Sequence, residues 1–310
     1  MEMTNHYKQL DPSKKRHSFG SLHLKKPIAL TIGNFDGVHL GHQKIFHFMR
    51  NLTKDIGSNV VITFSNHPLE ILHPESKVFK LTPLEEKLDL LKKNHIDLTI
   101  LLEFNSEIQR MDYKEFLMDV KKYLPFDFLI LGEGASFGRN QGGTFNELKK
   151  IETELDFKTF YVPRLKDNNT IISSKHIRGL IEKGAFTDVE RYLGRNYTLY
   201  APYHLLKLQE TGETFLKITY DFQNMCLIPS GHYLIRLVSK EHECSAVAYL
   251  TTLKSDGAGK TFDLEIFIKV AKSPFMNDEV RIEFVKKIQK TDVEAELEKT
   301  SCKIIPFKSA

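Results

Sequence analysis

Between residues 28 and 162 the chain alternates short apolar runs with amphipathic segments of helical spacing, and this order restricts its fold more than any other feature. Residues 28–32, 59–64, 98–102, 126–131 and 158–162 read as strands, and residues 42–54, 83–94, 113–123 and 145–155 as helices. Repeated β-α order predicts an α/β domain, a Rossmann-like and mainly parallel sheet covered on both faces. Ligands of such sheets bind beyond the carboxyl ends of the strands. The informative loops follow the strands ending near Ile32, Phe64, Leu131 and Val162.

After Tyr200 the texture changes. Alternating runs at 203–208, 214–220, 232–238, 245–250 and 262–268 predict a small antiparallel β-barrel. The spacing of Val280, Ile282, Phe284, Val285 and Ile288 predicts a closing C-terminal helix over 278–288, with Lys286, Lys287 and Lys290 on its solvated face. Residues 1–26 are polar and basic, with Lys14, Lys15 and Arg16 in a row, and read as a loosely docked tail. The expected organisation is a tail (1–26), a parallel-sheet domain (27–197) and a barrel domain (198–310); 310 residues are enough for two cores.

Residues 33–42, Gly-Asn-Phe-Asp-Gly-Val-His-Leu-Gly-His, join the first strand to the first helix. Gly33, Gly37 and Gly41 supply flexible backbone there. His39 and His42 then sit at or just before a helix start, where free N–H groups and the positive dipole end attract phosphate. Donors three residues apart face one ligand. Such a site suits nucleotidyl transfer, in which the protein mainly aligns the groups and offsets charge on the transferring phosphorus and the departing pyrophosphate, usually with magnesium. Capping or surface placement is the plain alternative for the two histidines. The Walker pattern of P-loop proteins is absent.

Residues 31–43 closely resemble the adenylyltransferase module of bacterial bifunctional riboflavin kinase/FMN adenylyltransferases, also called FAD synthetases, and the resemblance covers about residues 28–197. It implies transfer of AMP from ATP to FMN, with ATP and FMN as substrates and Mg2+ as cofactor. It further implies that His39, His42 and Arg178 are catalytic, and that Gly33, Asn34, Phe35, Asp36, Gly41, Val162, Ser173 and Ser174 bind ATP. Residues 63–68, Thr-Phe-Ser-Asn-His-Pro, are similar to the family's Thr-Phe-x-Pro-His-Pro, with Asn66 where proline is usual. Phe64, His67, Pro68, Phe137 and Arg139 are accordingly assigned to the flavin.

The loop at 132–138 departs from the family pattern. Gly134 replaces Asp or Asn, Ala135 replaces an aromatic, and Gln141 stands where arginine is frequent, so altered flavin binding is expected and Arg139 is the candidate substitute charge. Residues 172–178, Ile-Ser-Ser-Lys-His-Ile-Arg, resemble Ile-Ser-Ser-Thr-x-Ile-Arg. Ser173 or Ser174 caps the next helix and Arg178, one turn on, binds phosphate oxygens. Lys175 removes the family threonine's hydroxyl.

The last third is similar to the riboflavin kinase half, with Glu265 at the position of the catalytic base, but the family's Gly-Phe-Pro-Thr-Ala-Asn segment has no counterpart. A barrel without kinase activity is expected. Two other functions stay open: a His-x-Gly-His nucleotidyltransferase acting on another phosphorylated acceptor, and a flavin- or nucleotide-binding pseudoenzyme.

Charge excludes one class of partner. With 44 Lys and Arg against 40 acidic residues, a net charge of +4, there is no basic excess for nucleic acid, whereas small anionic substrates are compatible. Cys226, Cys244 and Cys302 are odd in number and widely spaced, which reads as three reduced thiols without a zinc site. No apolar run is long enough to span a bilayer and none marks a signal peptide, so a cytoplasmic protein off the membrane is expected. Oligomeric state is not legible.

Overall fold

All five apolar runs become strands of one parallel sheet in the computed structural model, which describes residues 7–10, 24–75, 78–201, 204–207, 214–221, 225–239, 242–252, 261–268, 280–299 and 302–304. By contact the chain divides into two units, Met1–Ser173 and Ser174–Ala310.

The first unit runs β1 (Tyr7–Leu10), β2 (Ile28–Ile32), α1 (Leu40–Thr53), β3 (Ser58–Phe64), α2 (Pro68–Leu72), α3 (Leu84–Lys93), β4 (Leu98–Leu102), α4 (Ser106–Arg110), α5 (Tyr113–Tyr123), β5 (Phe128–Gly132), α6 (Phe145–Leu155), β6 (Lys158–Val162) and a short hairpin, β7 (Lys166–Asp167) and β8 (Thr170–Ile171). The main sheet has the order β1-β4-β3-β2-β5-β6, with every pairing parallel. β2 lies inside it, so successive side chains serve opposite layers. Ile28 and Leu30 pack with Phe116, Leu117, Leu148 and Ile151 of α5 and α6. Ala29 packs on the other face with Ile45, Phe46 and Met49 of α1 and Leu90 and Leu91 of α3.

The N-terminal segment differs from the expected tail: its residues Tyr7–Leu10 pair parallel to Thr99–Leu102 and extend the sheet past β4. Edge pairing needs backbone donors and acceptors rather than a side-chain pattern, which is why the sequence hid it.

The second unit runs α7 (Ser174–Ile181), α8 (Phe186–Leu193), β9 (Tyr197–Ala201), β10 (His204–Lys207), β11 (Thr214–Asp221), β12 (Gly231–Val238), β13 (His242–Thr252), β14 (Thr261–Ile268), β15 (Val280–Ile288), α9 (Val293–Glu298) and β16 (Cys302–Ile304). Its antiparallel sheet is ordered β10-β11-β14-β13-β12-β15-β9, with β16 on β13. Among the described residues no pairing joins β10 to β9. The expected helix over 278–288 is corrected to β15. Val280, Ile282 and Phe284 are buried at every second position, and that period also satisfies helical i, i+4 spacing. A short helix, α9, comes after it. The boundary drawn after Tyr197 differs from the division by contact, because Phe186 of α8 packs with Tyr197, Tyr233 and Phe284 of the second sheet.

The reading of three reduced thiols is also corrected. Cys226 is a free, buried thiol, but Cys244 is disulfide-bonded, and its register neighbour across the β13·β16 ladder is Cys302. Strand pairing, invisible in the spacing, sets those two positions side by side.

Candidate active site

β2 delivers the chain into a turn held from below. The Gly33 N–H donates to the Ile62 carbonyl at 3.0 Å, and the Val38 N–H to the Phe35 carbonyl at 3.1 Å. Phe35 and Val38 take positive φ, 51° and 39°, on either side of Gly37 at 82°. Such conformations persist where packing over-determines them. Both side chains are buried against α1, beside Ile45, Phe46 and Met49. His39 is the N-cap of α1, and no side chain caps this helix start; its carbonyl accepts from the N–H groups of His42 and Gln43.

The two imidazoles meet face to face. Their ring centroids lie 3.7 Å apart with 20° between planes, and Phe35 stands edge-on to His42 at 5.2 Å. Gly41 makes the stack possible, since a Cβ there would lie 3.0 Å from the His39 Cε1 and Nδ1 and 3.4 Å from the Ile172 carbonyl oxygen. His42 Nδ1 is buried without a hydrogen-bond partner. Burial, then His39, then Lys87 hold the His42 pKa well below the ordinary imidazole value, so this ring is neutral at pH 7.

An open cleft lies beyond the ends of β2 and β3, lined by Asn34, Asp36, Phe64, Ser65, Asn66, His67, Lys80, Thr82, Leu84 and Lys87. Residues assigned from sequence to ATP (Asn34, Asp36) and to flavin (Phe64, His67) thus share one cavity. Asp36 is buried, and both its carboxylate oxygens accept the Leu81 N–H, at 2.9 and 3.2 Å. Phe64 stands edge-on to Phe104 at 5.4 Å. Asn66 exchanges two 2.8 Å hydrogen bonds with the Phe104 backbone, tying this loop to the end of β4. His67 caps α2: its Nδ1 accepts from the Leu69 N–H, its own N–H donates to Glu70 Oε2, and Pro68 occupies the first turn.

The other assigned residues fall elsewhere. Val162 is buried in the core on the α1 face, and its carbonyl accepts the Glu133 N–H. Phe137 bridges to Gly143 and packs on Phe116, and the exposed Arg139 donates its N–H to the Met111 carbonyl; neither lines the cleft. Ser173 directly follows Ile172, whose carbonyl faces the first turn of α1 at Gly41. Ser174 and Arg178 belong to α7 of the second unit, with Lys175 exposed between them. Glu265 sits on β14, in register with Lys217 and Tyr249, and its side chain lies outside the described residues.

Two residues escaped the sequence reading. Lys87 of α3 is buried, and its Nζ donates to the carbonyls of Asn34 (3.3 Å) and Phe64 (2.8 Å) and to Thr63 Oγ1 (3.3 Å). Burial lowers its pKa from 10.5 to about 8, against the opposing pull of Asp36. Its position three and four residues before the buried Leu90 and Leu91, on the inward helix face, was the available signal. The exposed Arg164 donates its N–H to the Glu133 carboxylate and its Nε to the Glu133 carbonyl, and a Cβ at Gly134 would come 2.6 Å from its guanidinium.

Fold and turn together define a class: a parallel-sheet α/β domain with a paired-histidine helix start at the carboxyl edge of the sheet. The FAD synthetase family model matches residues 22–176. The chain belongs to the FAD synthetase family. It is 31% identical over 172 residues to a bifunctional riboflavin kinase/FMN adenylyltransferase of Buchnera aphidicola subsp. Acyrthosiphon pisum, covering 55% of each chain. It is 32% identical over 186 residues to an FAD synthetase of Listeria monocytogenes, covering 59% of this chain and 73% of that one. The chain spans about half the length of the Buchnera relatives it matches. A crystal structure titled macrolide-efflux protein, from Streptococcus pneumoniae, shares the fold, with a TM-score of 0.69 at 22% identity over 87% of this chain and 90% of that one.

Proposed function

We propose that this protein transfers AMP from ATP to FMN, forming FAD and releasing pyrophosphate. The observation that carries the reading is the stacked His39–His42 pair at the start of α1, with a buried and unpartnered Nδ1 on His42. An FMN phosphate oxygen attacks the α-phosphorus of ATP. The bond from that phosphorus to the bridging oxygen breaks, and its electron pair leaves with pyrophosphate. A phosphate monoester, with a second pKa of about 6, is already ionised at neutral pH, so no base is needed. The neutral His42 still offers one N–H donor, and in a water-poor site such a donor stabilises the charge building on the transferring and departing phosphates. The likeness of residues 172–178 to the family's Ile-Ser-Ser-Thr-x-Ile-Arg assigns Ser173, Ser174 and Arg178 to phosphate oxygens.

Among the described residues no three His, Cys, Asp or Glu side chains group as a metal site, and Asp36 is committed to Leu81. Magnesium, which the family resemblance implies, would supply charge stabilisation to the ATP phosphates when bound. The proposal stops at FAD, because the phosphate-loop segment of the kinase half has no counterpart in the sequence. The second reading, a phosphorylated acceptor other than FMN, rests on the departure of the 132–138 loop from the family pattern at Gly134 and Ala135. No described helix is long and apolar enough to cross a membrane, and with substrates drawn from the nucleotide pool we place the protein in the cytoplasm.

Incubation with MgATP and FMN, following FAD and pyrophosphate, tests the activity, and other phosphorylated acceptors tested in parallel decide the second reading. His42→Ala is expected to lose most turnover with an unchanged circular dichroism spectrum. A folded, fully active variant refutes the assignment, and a wild type that releases no pyrophosphate with any acceptor leaves a nucleotide-binding pseudoenzyme.

A further inference from the structure

We propose that Lys87 is a positioning residue of the transfer reaction: through the carbonyls of Asn34 and Phe64, its ammonium holds the nucleotide-side turn and the acceptor-side strand end of the cleft at a fixed separation. The inference rests on the reading of the cleft given above. An ammonium has three N–H donors and no acceptor, and all three are used here, on the turn after β2, on the Thr63 hydroxyl and on the last residue of β3. Thr63 Oγ1 itself donates to the Asn34 carbonyl at 3.0 Å, so one cation and one hydroxyl converge on a single carbonyl.

Burying an ammonium opposes stability, so the tie is an unfavourable way to fill a core and a specific way to fix two loops. On the reading above, Asn34 belongs to the ATP side of the cleft and Phe64 to the flavin side, and both line it. A misplacement of about 1 Å between reactants lowers rate by about a hundredfold without abolishing binding of either. The tie is therefore expected in kcat rather than in KM. The charged and titratable groups acting on Lys87 are Asp36 from the turn and Lys80 from the segment before α3, and Lys87 in turn acts on His42 of α1. Anionic substrates favour its charged form, so the free enzyme, reported by kcat/KM, is where deprotonation shows.

The experiment compares wild type, Lys87→Met and Lys87→Arg in steady-state FAD formation from MgATP and FMN over about pH 6 to 10, and in hydrogen–deuterium exchange of the protein without substrates. Lys87→Met is expected to lower kcat by about a hundredfold while each KM changes less than about threefold. It also speeds exchange in peptides spanning residues 33–36 and 64–67. Lys87→Arg keeps charge and donors, recovers much of kcat, and loses the alkaline fall in kcat/KM that wild type shows near the Lys87 pKa of about 8. Wild-type kcat in Lys87→Met, a loss confined to KM, or an unmoved alkaline limb in Lys87→Arg overturns the proposal. If wild type makes no FAD, the activity reading has failed, and exchange alone decides the tie: unchanged protection of both segments in Lys87→Met overturns it. Should the arginine variant misfold, the kinetic split and exchange of Lys87→Met decide in the same way.

Discussion

The burial of Lys87 makes a thermodynamic prediction that needs no substrate. In the unfolded chain its ammonium titrates at 10.5, and in the folded unit at about 8. Below the folded value both states are protonated, and the folded state bears the whole cost of burying the charge. Between about 8 and 10.5 the unfolded chain binds the extra proton, so stability rises with pH at up to about 1.36 kcal/mol per pH unit. The cost present at pH 7 and relieved by about pH 10.5 is therefore about 3 kcal/mol, a large part of the 5–15 kcal/mol that is roughly usual for a folded domain. Lys87→Met has no such titration, so the stability of wild type minus that of the variant isolates it. Urea unfolding followed by circular dichroism should show that difference climbing by about 2 to 3 kcal/mol from about pH 7.5 to pH 10. A difference that stays flat within about 0.5 kcal/mol, or falls, refutes the reasoning.

Three further outcomes follow from the geometry. Gly41→Ala puts a methyl 3.0 Å from the His39 ring and should unstack it from His42, lowering FAD formation about tenfold or more at unchanged or raised melting temperature, since alanine favours the helix; full activity would show the stack to be dispensable. Gly138→Ala meets both a φ of +76° and a Cβ only 2.6 Å from the Tyr113 backbone nitrogen, so thermal unfolding should reveal a loss of about 2 to 4 kcal/mol, and a melting temperature within a degree or so of wild type would contradict it. Because burial holds the His42 pKa well below 6.5, the acid limb of kcat/KM for FAD formation should fall well below pH 6.5, and a limb at the ordinary imidazole value would place a different group in control.

Much of the parallel sheet was legible because strands buried on both faces and helices with one apolar face leave distinct periods in the chain, as in residues 98–102 and 113–123. The same logic failed at β15, where even spacing served two periods at once, and at β1, where backbone pairing asks nothing of the side chains. At the site, His39 and His42 were legible from a glycine-rich turn between strand and helix, and Asn34, Asp36, Phe64 and His67 do line one cleft. Asn66 and His67 prove to be bound into loop and helix-cap hydrogen bonds, roles that short-range sequence does not separate from ligand contact.

The order of residues alone determined where the strands of the parallel sheet end, and hence where its ligand-facing loops and imidazole pair begin, because those signals are local and carried by periodicity, glycine and helix-start chemistry. Tertiary structure alone decided that the ammonium of Lys87 reaches the carbonyls of both Asn34 and Phe64, and that Arg164 covers Gly134. These are contacts between segments distant in sequence, fixed only once the sheet has set β2 beside β3 and β5 beside β6.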